Sequence, residues 1–200
     1  MSHAAERLAT ARDLQELPDD VPAEVIGGVV VEKAAPSAEH ADAQAGLTAL
    51  LRTRFHRPGG DGTASGWWLL TEVEIELESF EVYRPDIAGW RRSLHSERPR
   101  GRPVAARPDW VCEILSPSNA KNDLVDKFRV FQRSGVPFYW IVDPEREILT
   151  VYRLQNGLYV VAQQATRGEI VRAEPFDAVS LRVGLLFGED DEGPLDPTSG

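Results

Sequence analysis

The sequence predicts a mixed α/β fold in which helices flank one central sheet. Three observations predict it. Strand-like runs occur at residues 67–79, 108–116 and 136–165, and helix-like patterns occur at 37–55 and 122–134. The third observation is bulk: the chain has 200 residues, of which 42% are hydrophobic, enough for one domain with its own core.

The N-terminal part of the chain predicts a helix, a hairpin and a second helix. Residues 1–20 are expected to form a loose helix, and VIGGVVVEKAAP at 25–36 is typical of a strand or hairpin that enters a proline-marked turn. Ser37 then follows as the N-cap of a helix that extends to about Phe55. We expect the inner positions of this helix to include Ala41, Ala45, Thr48 and Leu51.

The segment WWLLTEVEIELES at 67–79 alternates hydrophobic and acidic residues, which predicts one half-buried antiparallel strand. YRPDIAGW at 83–90 is its expected hairpin partner. The segment 91–108 is rich in arginine, proline and glycine and has no periodicity, so we expect an exposed loop.

The C-terminal half predicts a buried strand, a helix and three further strands. PDWVCEILS at 108–116 is a short apolar run, expected to be covered on both faces. A helix at 122–134 is expected to end at Gly135, with an inner stripe of Leu124, Phe128 and Phe131. Three strands follow, VPFYWIVD, EILTVYRL and LYVVAQQA, and the segment 176–187 closes the fold as a strand or short helix.

The net charge of −10 is concentrated at the two ends of the chain. Residues 189–200 carry five acids and no base, and residues 1–24 carry six acids and two bases. These contributions of −5 and −4 leave −1 for the rest of the chain. From Arg84 to Arg107, seven arginines accompany two acids, a local net charge of +5. The acidic total therefore does not exclude a nucleic-acid partner.

We expect an N-terminal extension at 1–20, one folded domain at 21–188 and an acidic disordered tail at 189–200. No apolar run approaches the roughly 18 residues of a membrane helix, and the first residues lack the apolar segment of a secretory signal. Cys112 is the only cysteine, which excludes an internal disulfide and a cysteine-based zinc site. These features favour a cytoplasmic protein that does not bind membranes.

Glu113 is the most informative single residue. Strand alternation sets Trp110, Cys112 and Ile114 on one face and Glu113 on the other, within a run that is otherwise apolar on both. A carboxylate buried there is costly unless it binds a cation or a strong hydrogen-bond donor. The alternative is a glutamate at a strand end that reaches solvent or pairs with an arginine.

Asp86 and Lys127 complete a candidate site. Asp86 follows Pro85 and opens a short apolar strand, where a turn cap is the alternative interpretation. Lys127 borders the inner stripe of its helix, so its amine can reach over the sheet edge. Asp123, four residues earlier, offers an ordinary helical ion pair instead, and it can also orient the lysine.

Two carboxylates and one lysine form a minimal set for phosphodiester hydrolysis. Carboxylates supply the hard oxygen ligands that Mg²⁺ or Mn²⁺ prefers. The metal polarises the phosphate and lowers the pKa of bound water, and an ammonium group offsets the developing negative charge. The set by itself is not specific to one reaction.

Several segments, taken in order, resemble one family. PDIAGW, PDWVCEILSPSN and NDLVDKFRVFQRSGVPFYWIVDPEREILTVYRL resemble the Uma-two family of restriction-endonuclease-like proteins, and AEVIGGVVVEKAAPSAEH is similar to the opening of that family. The similarity extends from residue 22 to residue 187. It implies the PD-(D/E)xK fold and divalent-metal nuclease chemistry.

The resemblance also implies roles for individual residues. Asp86 matches the motif aspartate and Glu113 the motif acid, and these are the two metal ligands. The lysine usually found two positions after the acid is replaced by Leu115. The family supplies a lysine from the next helix, which is Lys127 here. If this lysine takes over the role, cleavage is retained; otherwise the site binds metal without cutting.

Other residues are weaker candidates. Glu24 and His40 match family positions before and on the first helix, although His40 is also explained as a capping or surface group. Basic residues near the site are expected to contact phosphates, which position nucleic acid without reading its sequence. They include Arg84, Arg91 and Arg92, and a flexible solvated loop is the alternative.

Three functions are compatible with the sequence. The first is a nuclease that acts on nucleic acid, with DNA favoured, as a homodimer suited to cutting two strands. The second is a non-catalytic nucleic-acid-binding or regulatory domain, which Leu115 favours. The third is an assembly protein in which FYWIV and TVYRL form a homodimer face, although these strands are better explained as core.

Overall fold

This computed structural model describes residues 7–18, 20–56, 66–116 and 123–190. Of Asp123 and Leu124 it describes the backbone alone. One mixed six-stranded sheet, two smaller antiparallel sheets and one long helix form the fold. The N-terminal elements are α1 (Ala11–Gln15), β1 (Ala23–Ile26), β2 (Val29–Glu32) and α2 (Ala38–Phe55). The central strands are β3 (Trp67–Thr71), β4 (Ile75–Glu78), β5 (Glu81–Tyr83), β6 (Ile87–Arg91) and β7 (Trp110–Ile114).

The C-terminal elements begin with a π-helical turn, Asp123–Lys127, that continues into α3 (Phe128–Arg133). Strands β8 (Phe138–Asp143), β9 (Ile148–Gln155) and β10 (Leu158–Thr166) follow. The described chain closes with β11 (Ile170–Val171), β12 (Leu181–Arg182) and a 3₁₀ helix, Val183–Phe187. No helix in the described ranges is both long enough and apolar enough to cross a bilayer.

The larger sheet has six strands in the order β10-β9-β8-β7-β6-β3. Its one parallel pair is β7 with β8, and α3 lies in the connection between them, as parallel neighbours require a crossover. The smaller sheet has the order β2-β1-β5-β4. The mixed α/β fold class is therefore confirmed, with a second small sheet beside the central one.

The prediction of one strand over 67–79 is wrong. β3 ends at Thr71 and β4 begins at Ile75, because Glu72 adopts a left-handed conformation with φ of 53°. The chain thereby leaves the large sheet and joins the small one. The segment 83–90, the expected hairpin partner, divides in the same way between two strands. Of these, β5 pairs with β4 in the small sheet and β6 pairs with β3 in the large sheet.

The helix α2 begins and ends as predicted, and the side chain of Ser37 accepts a hydrogen bond from the His40 N–H at 3.2 Å. Its inner face differs in part from the prediction, since Leu51 is buried as expected. The buried residues are His40, Ala43, Leu47, Leu51 and Phe55, whereas Ala41 and Ala45 are exposed. Burying an alanine or a threonine contributes little free energy. The large side chains of Leu47, Leu51 and Phe55 therefore decide which face of the helix is buried.

The strand β7 separates two hydrophobic clusters, as its alternation predicted. Trp110, Cys112 and Ile114 belong to a cluster that includes Leu47 and Trp140. Val111 and Leu115 belong to a second cluster on the opposite face. Every residue from Trp110 to Ser116 is buried, so the expectation of a strand covered on both faces is confirmed.

The remaining helix predictions are confirmed in part. α3 ends at Arg133, and Gly135 has φ of 76°, the left-handed conformation expected of a C-cap glycine. Phe131 is fully buried, whereas residue 122 and the side chain of Leu124 lie outside the described residues. Near the N-terminus, α1 covers only residues 11–15 of the predicted helix, and Leu14 packs with Val25 and Val82.

Candidate active site

A cavity of about 270 Å³ lies where the chain passes between the two sheets. Glu72 and Asp86 reach it from the two connections between the sheets, and Lys33 reaches it from the segment after β2. His40 and Gln44 line it from the first turns of α2, and Glu113 lines it from β7. Five separate chain segments therefore contribute ionisable or polar groups to one cavity.

Strand register explains why Asp86 and Glu113 share this cavity. β6 and β7 are antiparallel, with Ile87 beside Cys112. One further step in this register sets Asp86 beside Glu113, and directly opposed residues of an antiparallel pair point to the same face. Both carboxylates are nearly inaccessible to solvent, with 1% and 2% exposure.

Asp86 is held by partners on both carboxylate oxygens. Oδ2 accepts a hydrogen bond from the Ile114 N–H at 2.7 Å, and Oδ1 accepts one from Lys33 Nζ at 2.9 Å. His40 Nε2 lies 3.3 Å from the same Oδ1. Burial raises the pKa of Asp86, but His40, Lys33 and the Ile114 N–H together hold that pKa well below its usual range. The carboxylate is ionised at neutral pH.

Glu113 belongs to a buried row of alternating charges. Lys127 Nζ lies 3.0 Å from Glu113 Oε1 and 3.1 Å from Glu24 Oε1, and Lys127 is only 1% exposed. Glu24 Oε1 also accepts a hydrogen bond from the Arg84 N–H at 2.7 Å. The ammonium therefore compensates two carboxylates that are costly to bury without a partner.

Lys33 is a second lysine of the site and was not predicted. Its Nζ donates to Asp86 Oδ1 and to the Arg84 carbonyl oxygen, both at 2.9 Å, and lies 3.2 Å from Glu72 Oε2. Burial lowers the pKa of Lys33, but Asp86 and Glu113 raise it above its usual range. Lys33 is therefore a cation next to the carboxylates.

Three side chains have the composition and spacing of a divalent-cation site. His40, Glu72 and Asp86 each offer a ligand atom, and these atoms all lie within 4.8 Å of one another. Two carboxylates suit Mg²⁺ and Mn²⁺, and an imidazole favours Mn²⁺ over Mg²⁺. His40 Nδ1 is buried and has no hydrogen-bond partner among the described residues. The donor set fits a divalent cation, and Glu113 lines the same cavity outside this trio.

The structure brings together most of the residues that the sequence proposed. Asp86, Glu113, Lys127, Glu24 and His40 all lie in or directly beside the cavity. The side chain of Asp123 lies outside the described residues, so its proposed role stays a prediction.

The proposed arginines divide into two groups. Arg84 lines the cavity, whereas Arg91 and Arg92 lie at the far end of β6, about 16 Å along the strand from Asp86. There the Arg91 guanidinium lies 5.2 Å from the Trp67 ring centre, and that of Arg92 lies 3.4 Å from the Trp68 ring centre. A ligand in the cavity therefore meets Arg84 and not the other two.

Glu72, Gln44 and Lys33 were missed by sequence reasoning. Glu72 was assigned to the solvent face of an alternating strand, and only its left-handed φ turns it toward the cavity. Gln44 donates from Nε2 to the Asp86 carbonyl oxygen at 2.8 Å and to Glu72 Oε1 at 3.2 Å. Nothing in the residue pattern around Lys33 distinguishes it from a surface lysine at a strand end.

Comparisons with known proteins agree with this architecture. A sequence model of the Uma2 family, described as "Putative restriction endonuclease", matches residues 11–184. A crystal structure described as a "putative nuclease belonging to DUF820" from Anabaena variabilis is similar, with a TM-score of 0.68 and 22% identity over 89% of this chain and 97% of that one. At this identity the structural similarity shows the fold alone. No curated protein matches the chain.

Proposed function

This chain belongs to the Uma2 family, and from that membership we propose that it is a divalent-metal-dependent nuclease with DNA as its favoured substrate. The observation that carries the proposal is the buried pairing of Asp86 and Glu113. Two neighbouring carboxylates at 1% and 2% exposure face one cavity that also holds His40, Glu72 and Lys33. Buried carboxylates need cationic partners, and a metal ion can join Lys33 and Lys127 in that role.

Asp86 and Glu113 are the proposed metal ligands, and His40 and Glu72 can join Asp86 in holding the ion. A bound Mg²⁺ or Mn²⁺ supplies Lewis acidity toward the phosphate and a water molecule of lowered pKa. The ion pair of Lys127 with Glu113 holds that carboxylate in place. Gln44 fixes the backbone of Asp86, and the Ile114 N–H fixes its side chain.

The proposed reaction is hydrolysis of a phosphodiester. The oxygen of a water molecule forms a bond to phosphorus, and one ester P–O bond breaks. The departing oxygen takes up a proton, so the products are a phosphomonoester and an alcohol. The site residues set cations beside the phosphate, which is where negative charge develops.

DNA is the proposed partner because an arginine at the cavity can contact a phosphate. Arg84 lines the cavity, with its Nε 3.1 Å from Glu72 Oε2 and a quarter of its side chain exposed. A guanidinium held in this way can pass from the carboxylate to a phosphate. Arg91 and Arg92 belong to a second basic surface at the far end of β6, and we propose that this surface contacts the backbone of a longer duplex.

A homodimer remains part of the proposal, although not through the aromatic strands. Tyr139, Trp140 and Val151 of β8 and β9 are almost fully buried inside the domain. Apolar side chains are exposed instead on β10, the edge strand of the large sheet, where Leu158 is 62% and Val161 is 58% exposed. An edge strand that has one neighbour among the described strands suits pairing with a second copy.

A non-catalytic nucleic-acid-binding domain is the second candidate function. Leu115 favours it, because the position of the usual motif lysine is a buried apolar residue of the second core cluster. The two functions differ in one property. A nuclease converts substrate to product in the presence of metal, and a binding domain does not.

The test is a cleavage assay of purified protein with plasmid, linear and single-stranded DNA and with RNA, in Mg²⁺, Mn²⁺ or EDTA. Asp86→Asn and Glu113→Gln are compared with the control Asp109→Asn. Asp109 is buried outside the cavity, and its Oδ2 accepts a hydrogen bond from the Arg91 N–H. Metal-dependent cleavage that both site variants lose and Asp109→Asn keeps supports the nuclease. Absence of cleavage on every substrate, with DNA binding unaffected by EDTA, supports the binding domain.

A further inference from the structure

The chain contains three lysines, Lys33, Lys121 and Lys127, and an ammonium group that touches the substrate would offset the negative charge that develops in the reaction proposed above. Lys121 lies outside the described residues. The other two both belong to the site but differ in what surrounds the ammonium, and this difference decides which of them a substrate can meet.

Lys33 faces the cavity. Its side chain is 14% exposed and lines the cavity together with Glu72, Asp86 and Glu113. Its three contacts, to Asp86 Oδ1, to Glu72 and to the Arg84 carbonyl oxygen, are made with groups that also border the cavity. A phosphate that enters the cavity next to Asp86 therefore lies within reach of this ammonium.

Lys127 is enclosed on the other side of Glu113. It is 1% exposed, its Nζ lies between Glu113 and Glu24, and it is not among the described residues that line the cavity. A ligand in the cavity meets the Glu113 carboxylate before it meets this ammonium. The geometry suits a residue that positions Glu113 and compensates its charge.

The formal charges of the cavity support the same assignment. Among the described lining residues, Glu72, Asp86 and Glu113 carry three negative charges, and Lys33 and Arg84 carry two positive ones. The net charge of −1 becomes +1 when a divalent cation binds, which matches the single negative charge of a phosphodiester. Removal of Lys33 brings the metal-bound cavity to zero and leaves the phosphate uncompensated.

We propose that Lys33 is the catalytic lysine of this site, with its ammonium on the scissile phosphate, and that Lys127 is a positioning residue for Glu113. The assignment rests on the nuclease function proposed above. In the step, the water oxygen bonds to phosphorus and releases one proton to solvent, an ester P–O bond breaks, and the departing oxygen takes one proton from solvent. Lys33 donates a hydrogen bond to a phosphate oxygen and neither gains nor loses a proton.

The experiment compares Lys33→Met, Lys33→Arg, Lys127→Met and Lys121→Met as full-length proteins. Three quantities are measured for each: the single-turnover cleavage rate in Mn²⁺, the affinity for Mn²⁺ alone from electron paramagnetic resonance, and the thermal midpoint. We expect Lys33→Met to cleave on the order of 100-fold more slowly, as for loss of one charge-stabilising donor. Its Mn²⁺ affinity should stay equal or increase, because a neighbouring positive charge is gone, and Lys33→Arg should recover part of the rate.

Lys127→Met is expected to behave differently, with a lower thermal midpoint and weaker Mn²⁺ binding, because Glu113 loses its partner. Lys121→Met serves as the control and should match the wild type. Three results would each overturn the assignment of Lys33 and leave the nuclease proposal standing. They are a wild-type cleavage rate in Lys33→Met, loss of Mn²⁺ binding together with a lower thermal midpoint in Lys33→Met, and a rate loss confined to Lys121→Met. A wild type that cleaves none of the substrates overturns the nuclease proposal, and the catalytic role of Lys33 with it.

Discussion

The ammonium of Lys127 lies 3.0 Å from a carboxylate oxygen of Glu113, in a part of the protein where both side chains are almost completely buried. Glu24 lies on the other side of the ammonium at 3.1 Å. The row of Glu24, Lys127 and Glu113 joins the small sheet, the π-helical turn and β7. Its ion pairs therefore contribute to the stability of the fold as well as to the proposed chemistry.

Lys127→Met should lower the free energy of unfolding by about 3–5 kcal/mol, because it leaves two buried carboxylates without their cation. Urea unfolding followed by tryptophan fluorescence measures this change. The triple variant Lys127→Met, Glu113→Gln and Glu24→Gln removes all the charges and should recover most of the lost stability. An unchanged urea midpoint for Lys127→Met would show that this row does not stabilise the fold. Arg146→Ala, which breaks an exposed ion pair with Asp143, is the control and should leave the midpoint unchanged.

Asp86→Asn should abolish stabilisation by metal while keeping the fold. The amide oxygen of asparagine can still accept the hydrogen bond from the Ile114 N–H, whereas the charge that attracts a cation is lost. Wild-type protein should show a thermal midpoint that rises with Mn²⁺ concentration, since a ligand that binds the native state stabilises it. Asp109→Asn is the matched control and should keep this rise. A rise of equal size in Asp86→Asn would exclude Asp86 as a ligand.

His40→Gln should weaken binding of Mn²⁺ more than binding of Mg²⁺. Imidazole nitrogen is a better ligand for Mn²⁺ than for Mg²⁺, and His40 Nε2 belongs to the trio of ligand atoms around Asp86. Mn²⁺ affinity is measured by electron paramagnetic resonance, and Mg²⁺ affinity by competition against Mn²⁺. Equal weakening for both ions would indicate that His40 only orients Asp86.

Arg84→Gln should weaken DNA binding and reduce its dependence on salt. Each phosphate contact contributes about −0.9 to the slope of log K against log salt concentration on duplex DNA, so the slope should become about 0.9 less negative. Fluorescence anisotropy of a labelled duplex in Ca²⁺ measures both quantities. Arg146→Gln carries the same charge change on a side chain that is 74% exposed and outside the cavity. The same loss in both variants would mean that only overall charge matters.

The stability of the protein should fall as the pH is lowered from about 7 to below the pKa of His56. Burial and the charges of Arg52, Arg92 and Arg98 lower the pKa of His56 from its usual value of 6.5, and His56 Nδ1 accepts a hydrogen bond from the Leu69 N–H at 3.2 Å. A histidine with a lowered pKa favours the fold above its unfolded pKa, and this contribution is lost as the pH falls through the folded value.

His56→Asn is the comparison for this pH dependence, since the asparagine oxygen can accept the same hydrogen bond without titrating. Urea midpoints at pH 5, 6 and 7 should change less in His56→Asn than in the wild type. If the urea midpoints of the two proteins changed equally with pH, His56 would not be the cause of the pH dependence of stability.

Local patterns in the sequence predicted much of the fold. The Ser37 cap, the Gly135 C-cap and the two faces of β7 are confirmed because each depends on neighbouring residues. The single strand over 67–79 was wrong because the pattern continues through Glu72, where the backbone turns from one sheet to the other. Alternation predicts which residues face the same side and does not show where a strand changes sheets.

The sequence by itself determined the α/β class and the similarity to one family, since these follow from periodicity and ordered motifs. It offered burial of Glu113 as one of two alternatives, and the structure decided between them. Only the tertiary structure decided which cations accompany the carboxylates. Lys33 and Asp86 are 53 residues apart, and Glu24 and the Arg84 N–H are 60 apart. Such contacts depend on strand register and on how two sheets meet, and no local pattern of side chains specifies that geometry. The site is therefore a property of the packing of five chain segments.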